Sequence, residues 1–214
     1  MTLVAVGDSI AHAADSWPGL LAAALGQELR RVSADGARSD DVLAQVEGLG
    51  PERYDVACLS VGTNDVLFSW DRDAYAERLG RILTVLGARA DRVVAATVTL
   101  SLGGFPGSGR ELRHRVQELN AVIRASGAVV VPGDDVTGPR LLQADRVHPT
   151  SQGQLLLADR AAAALGVEPA PSSLAGAGEP GSRWFYHRVA VAQAPRRLAK
   201  RLLRRPMYQD PRGS

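Results

Sequence analysis

The 214-residue sequence holds a single cysteine, Cys58. With no second thiol, an intrachain disulfide is excluded, and no cysteine-based zinc centre is expected. Cys58 lies in the apolar run Val56-Ala57-Cys58-Leu59, where a thiol behaves as a small buried hydrophobe. Long apolar runs are also missing: no stretch approaches the roughly 18 consecutive apolar residues of a membrane span. The first strand starts almost at Met1 with no basic segment ahead of it. No export leader is therefore expected, and the cytoplasm is the expected compartment. Acids and histidines are not grouped at ligand spacing, which disfavours a metal-dependent hydrolase. Neither a metal nor a cofactor is expected.

What is present suits one domain with a real core and an appendage: 45% of the residues are hydrophobic. The net charge of +2 conceals an asymmetry. Residues 1–168 carry 16 basic and 21 acidic side chains, and residues 169–214 carry 9 and 2. The body is mildly acidic and the tail strongly basic, so an anionic partner is to be sought at the tail. No specific nucleic-acid contact is predicted.

Short apolar runs alternate with amphipathic stretches, the pattern of an α/β protein with a parallel sheet. Strands are predicted over 3–6, 28–32, 55–61, 92–98 and 128–131. Helices are predicted over 17–25, from Ser39 or Asp40 onward, and over 72–86, 110–125 and 151–165. Ser16 is the expected cap of the first, Ser39 or Asp40 of the second and Thr150 or Ser151 of the last; Gly166 is its stop. Stretches 10–15, 66–71 and 100–108 are read as loops. The third strand is apolar at nearly every position, as expected of a strand covered on both faces.

The first strand runs into Gly7-Asp8-Ser9-Ile10. A strand that breaks at Gly holds the next hydroxyl at the carboxyl edge of the sheet, where open α/β proteins bind ligands. Taken alone, this tripeptide is a weak signal, since such a cluster after a strand is usually just a turn. A serine nucleophile needs a base in reach, and the base needs an orienting acid. Asp145-Arg146-Val147-His148-Pro149 offers both within one turn. Two further blocks lie between, Asp35-Gly36 and Gly62-Thr63-Asn64-Asp65.

With these four blocks in order, the sequence resembles the SGNH (GDSL-type) hydrolase family over roughly residues 3 to 165. The matching positions are Ser9, Gly36, Asn64, and Asp145 with His148. The resemblance implies a three-layer α-β-α fold with a five-stranded parallel sheet, flavodoxin-like, in the order 2-1-3-4-5. It also implies an oxyanion hole made by the backbone N–H of Ser9, the backbone N–H of Gly36 and the side-chain amide of Asn64. Glycine suits that place, since no side chain blocks the approach and the φ that turns its N–H inward is open to it. Asp35-Gly36 is otherwise a plain turn, and Asn64 otherwise a turn former. Asp8 and Asp65 are read as structural caps.

The expected reaction is hydrolysis of a carboxylic ester, in a small-molecule substrate, through an acyl-enzyme, by Ser9, His148 and Asp145. Lysophospholipase-like and deacetylase specificities are both compatible with it. The same intermediate serves a thioesterase or an acyltransferase. The reading from another class is a non-catalytic binding module recruited by its basic tail. Phe68, Trp70 and Phe105 are placed to line a substrate pocket or, equally, to cover the edge of the core.

Residues 1–168 are taken as the hydrolase body and 169–214 as a linker and tail. Pro169 to Gly181 is rich in Pro, Ala, Gly and Ser. Trp184, Phe185 and Tyr186 follow, then a basic amphipathic stretch over 196–205 between two prolines. That stretch suits an anionic membrane surface, or else packing on the acidic body or service as a solubilising tail.

Overall fold

The computed structural model describes residues 2–13, 15–102 and 109–174. Its centre is a five-stranded parallel sheet in the order β2-β1-β3-β4-β5. The strands are β1 (Thr2–Gly7), β2 (Glu28–Arg31), β3 (Tyr54–Ser60), β4 (Ala90–Ala96) and β5 (Val129–Val131). The helices are α1 (Ser9–His12), α2 (Trp17–Ala24), α3 (Ser39–Glu47), α4 (Thr63–Phe68), α5 (Arg72–Gly87), α6 (Gly109–Ala125), α7 (Ser151–Leu165) and α8 (Pro171–Leu174).

The two-residue period of a strand sends alternate side chains to opposite faces. Val4 and Val6 of β1, with Ala57 and Leu59 of β3, pack beneath α3, α5 and α6, against Val42, Val46, Leu79, Ile82 and Leu119. Leu3, Val56 and Cys58 face the other way, beneath α2 and α7, against Trp17, Leu21, Leu157 and Ala161. Both faces of the central strands are thus covered, which is why β3 is apolar almost throughout. Cys58 is fully buried, and burial pushes its thiol pKa up. No helix among the described residues is long and apolar enough to cross a membrane.

The predicted elements are present, with ends displaced by up to two residues. Four details differ. Segments expected as loops after β1 and β3 hold the short helices α1 and α4, which span too few residues to show a helical repeat. α3 begins one residue earlier than a Ser39 cap implies and two earlier than an Asp40 cap implies. Arg38 is its N-cap, and its N–H donates to Asp41 Oδ2 at 3.0 Å. Ser16 sits at the N-cap of α2, but its hydroxyl donates back to Ala11 O at 3.1 Å. Thr150 caps α7 as expected, and Gly166 ends it in the left-handed conformation. Part of the predicted linker is helical: the Ser172 N–H of α8 donates to Asp159 Oδ1 of α7 at 2.8 Å. Phe105 and the aromatic and basic stretches of the tail lie outside the described residues.

Candidate active site

β1 ends at Gly7 with φ +135°, and a Cβ placed there would stand 2.0 Å from the carbonyl oxygen of Ser60. Only glycine meets both conditions. The turn is then fastened from outside itself. The Asp8 N–H donates to Ser60 O at 3.0 Å, and Ala34 N donates to Gly7 O at 3.0 Å. Gln45 of α3 clamps the Gly7 backbone on both sides: its Oε1 accepts from Gly7 N at 3.0 Å and its Nε2 donates to Gly7 O at 3.2 Å. The buried Asp8 carboxylate caps α1 by accepting from Ile10 N at 3.0 Å. Burial raises its pKa to about 7, against the Ile10 hydrogen bond and the His148 charge, which lower it. Ser9 follows as the first residue of α1.

The Ser9 Oγ lies 2.8 Å from His148 Nε2, across a separation of 139 residues. The other ring nitrogen, Nδ1, is 2.9 Å from Asp145 Oδ2. Asp145 Oδ1 accepts from the backbone N–H groups of Val147 at 3.0 Å and His148 at 3.1 Å. The chain reaches this tight geometry with Arg146 at φ +53°. Burial pushes the Asp145 pKa up, but the His148 ring and the two backbone donors outweigh it and hold the group at about 2. Asp145 is therefore anionic at neutral pH and accepts only. It fixes the imidazole proton on Nδ1, leaving Nε2 to accept the Ser9 hydroxyl proton.

Gly36 sits at φ +78°, and a Cβ there would meet nothing within 4 Å. The conformation, not crowding, calls for glycine. Its loop is anchored on three sides. His12 Nδ1 donates to Ser33 O at 2.7 Å, and the carbonyl acceptor fixes that tautomer. Asn64 Nδ2 donates to Ala37 O at 2.9 Å. Asp65 accepts from the Ser39 backbone N–H at 3.1 Å and from its hydroxyl at 2.5 Å. Asp65 thus serves the first turn of α3 from across the site. The carboxyl edge of the sheet brings together the blocks of Ser9, Gly36, Asn64 and His148.

Phe68 is 72% exposed. Trp70 packs against the α5–α6 face, its ring 5.6 Å from that of Tyr75 and its Nε1 donating to Glu118 Oε2 at 2.9 Å. Residues with no motif do more of the positioning. Gln154 of α7 accepts from Trp17 N at 2.9 Å and donates to Ile10 O at 3.2 Å, tying α7 to the segment after Ser9. The indole N–H of the buried Trp17 donates to Ser60 Oγ at 3.0 Å. The sequence signal for Gln154 is its place one turn before Leu157 and Ala158, on the stripe that α7 buries.

The GDSL-like lipase/acylhydrolase family is matched over residues 5–156, a span that opens in β1 and closes in α7. The chain belongs to this family. Membership makes it a hydrolase of the esterase class. Solved structures share the fold of this GDSL-like hydrolase. A member of the lipolytic G-D-S-L family from Veillonella parvula is 18% identical, covering 75% of this chain and 96% of its own, with TM-score 0.61. TesA is 24% identical over 77% and 98%, with TM-score 0.61. The acetylxylan esterase Axe2 from Geobacillus stearothermophilus is 18% identical over 78% and 94%, with TM-score 0.59. At these identities the likeness is one of fold. No curated protein sequence matches the chain.

Proposed function

We propose that this GDSL-like hydrolase cleaves carboxylic esters through an acyl-enzyme on Ser9. The observation that carries the reading is the relay from Ser9 Oγ to His148 Nε2 at 2.8 Å and from His148 Nδ1 to Asp145 at 2.9 Å. A serine hydroxyl is a weak nucleophile until a neighbouring base takes its proton. His148 takes it as Ser9 Oγ bonds to the ester carbonyl carbon, and the carbonyl π electrons move to oxygen. Anionic Asp145 stabilises the imidazolium so formed.

The oxyanion is received by donors whose positions are set before substrate arrives. These are the N–H of Ser9, the N–H of Gly36 and the Asn64 amide. That amide carries two hydrogens, and the bond to Ala37 O fixes one of them, leaving the other for the oxyanion. Collapse breaks the ester C–O bond, and the alcohol leaves with the proton from His148. Water then attacks the acyl-enzyme with His148 again as base, giving the carboxylic acid and restoring Ser9.

The test is hydrolysis of p-nitrophenyl esters by wild type and Ser9→Ala, with fluorophosphonate labelling alongside. We expect kcat to fall by about 10⁴-fold or more in the variant, and the label to sit on Ser9. Equal turnover by both proteins, or a label on another residue, overturns the assignment.

A further inference from the structure

A cavity of about 40 Å³ lies at the carboxyl edge of β3 and β4. Its wall includes Ile10, Thr63 and Val147, the chain neighbours of Ser9, Asn64 and His148. Ala96, Val136, Leu142 and Leu157, all buried, also line it. We propose that this cavity is the acyl site and restricts the enzyme to short acyl groups, acetyl to butyryl. The inference rests on Ser9 being the nucleophile.

Three of the four hydroxyls in the wall, those of Thr97, Thr99 and Ser60, are already committed. Thr97 Oγ1 donates to Asp134 Oδ2 at 3.0 Å and accepts from Gly133 N at 2.7 Å. Thr99 Oγ1 donates to Val136 O at 2.6 Å and accepts from Ser101 N at 3.1 Å. Ser60 Oγ accepts from the Trp17 indole at 3.0 Å. A guest therefore meets mainly methyl and methylene groups. A sugar or a lipid headgroup would lose hydrogen bonds to water there without replacing them, whereas an alkyl tail loses none.

Size sets the length. One water-sized group needs roughly 10–15 Å³ on this scale, so the cavity of about 40 Å³ holds about three. That accommodates the one to three carbons beyond the carbonyl of an acetyl, propionyl or butyryl group. A longer tail must displace buried side chains of the wall, such as Leu142 or Leu157, and a close-packed interior resists it.

The experiment uses the full chain and p-nitrophenyl esters from acetate to decanoate, with wild type, Leu157→Ala and Val136→Ala. Val136→Ala removes fewer atoms and keeps the test intact if Leu157→Ala folds poorly. We expect wild-type kcat/KM to peak between acetate and butyrate and to be lower by about tenfold or more at octanoate. Either opening variant moves the peak outward by about two carbons, since each removes alkyl volume from the wall. A wild type that prefers octanoate, or a peak that stays fixed in the variant that folds, overturns the assignment. Fluorophosphonate labelling separates the two levels. With Ser9 labelled, such a result removes only the acyl site; with Ser9 unlabelled and no ester cleaved, the underlying reading falls with it.

Discussion

The turn that carries Ser9 and the loop that carries His148 meet at 2.8 Å, yet they are held by opposite means. Apart from the local bonds to the Asp8 carboxylate and carbonyl, Gly7, Asp8 and Ile10 are tied to Ser60, Gln45, Ala34 and Gln154, on four other segments of the chain. The loop of His148 closes on itself: Gln143 N donates to His148 O at 2.8 Å, Gln143 Nε2 to Pro149 O at 3.0 Å, and Asp145 binds the two residues after Arg146. β1 is an interior strand of the sheet, so its end is surrounded by other elements. The His148 loop lies outside the sheet, where most of its bonds must come from near neighbours in sequence.

The two acids that accompany the pair show the same contrast. Asp8 and Asp145 are the same residue type, but burial raises one to about 7 while the histidine ring and two backbone donors hold the other at about 2. Desolvation decides at the fully buried Asp8, where the Ile10 hydrogen bond and the His148 charge do not offset it. It loses where three donors converge.

The contrast can be broken first at Asp145. Asp145→Asn removes the charge that fixes the His148 tautomer and supports its imidazolium. We expect kcat/KM for ester hydrolysis to fall by roughly 10²–10⁴-fold, with some loss of stability at neutral pH, since the fold holds the Asp145 pKa below its usual value. A fall under about threefold would reduce Asp145 to a loop-forming residue.

On the other side, Gly7→Ala should act on stability. Its Cβ has no room beside Ser60 O, and the positive φ disfavours any side chain. We expect a loss of about 3 kcal/mol or more in urea unfolding. A variant as stable as wild type would show that the β1–β3 junction relaxes freely.

The smallest effect sharpens the contrast between the acids. With the Asp8 pKa raised from 3.8 to about 7, the native state binds a proton that the unfolded state has released between those values. This group therefore contributes a fall in stability as pH rises through that window. Asp8→Asn keeps an oxygen for Ile10 N and has no charge to bury. Its stability relative to wild type should climb from pH 4 to pH 7 and level off above, by up to a few kcal/mol. An offset that does not vary with pH in paired urea melts would mean that Asp8 ionises as readily folded as unfolded.

Reading the sequence succeeded where the information is local. Asp145 and His148 are three apart, so their bond is written in one turn. The caps that Ser39 or Asp40 would supply to α3 were misplaced because the carboxylate that binds Ser39 is that of Asp65, 26 residues on. Gln45 and Gln154 carry no motif, and a glutamine on a helix reads as solvent-facing until the surface it meets is known. Trp70 reads equally as pocket or core edge in sequence; its contacts with Tyr75 and Glu118 put it at the α5–α6 face.

The sequence by itself determined the alternation of buried strands with amphipathic helices, the glycines at the strand end and in the Gly36 turn, and the residue types needed for a relay. Each follows from periodicity or backbone freedom within a few residues. Tertiary structure decided which segments became neighbours: the meeting of Ser9 with His148, the clamp on Gly7, the cavity behind Ile10 and Val147, and the opposite shifts of Asp8 and Asp145. Those depend on desolvation and on donors brought from distant segments, and both come into being only when the sheet closes and its helices cover it.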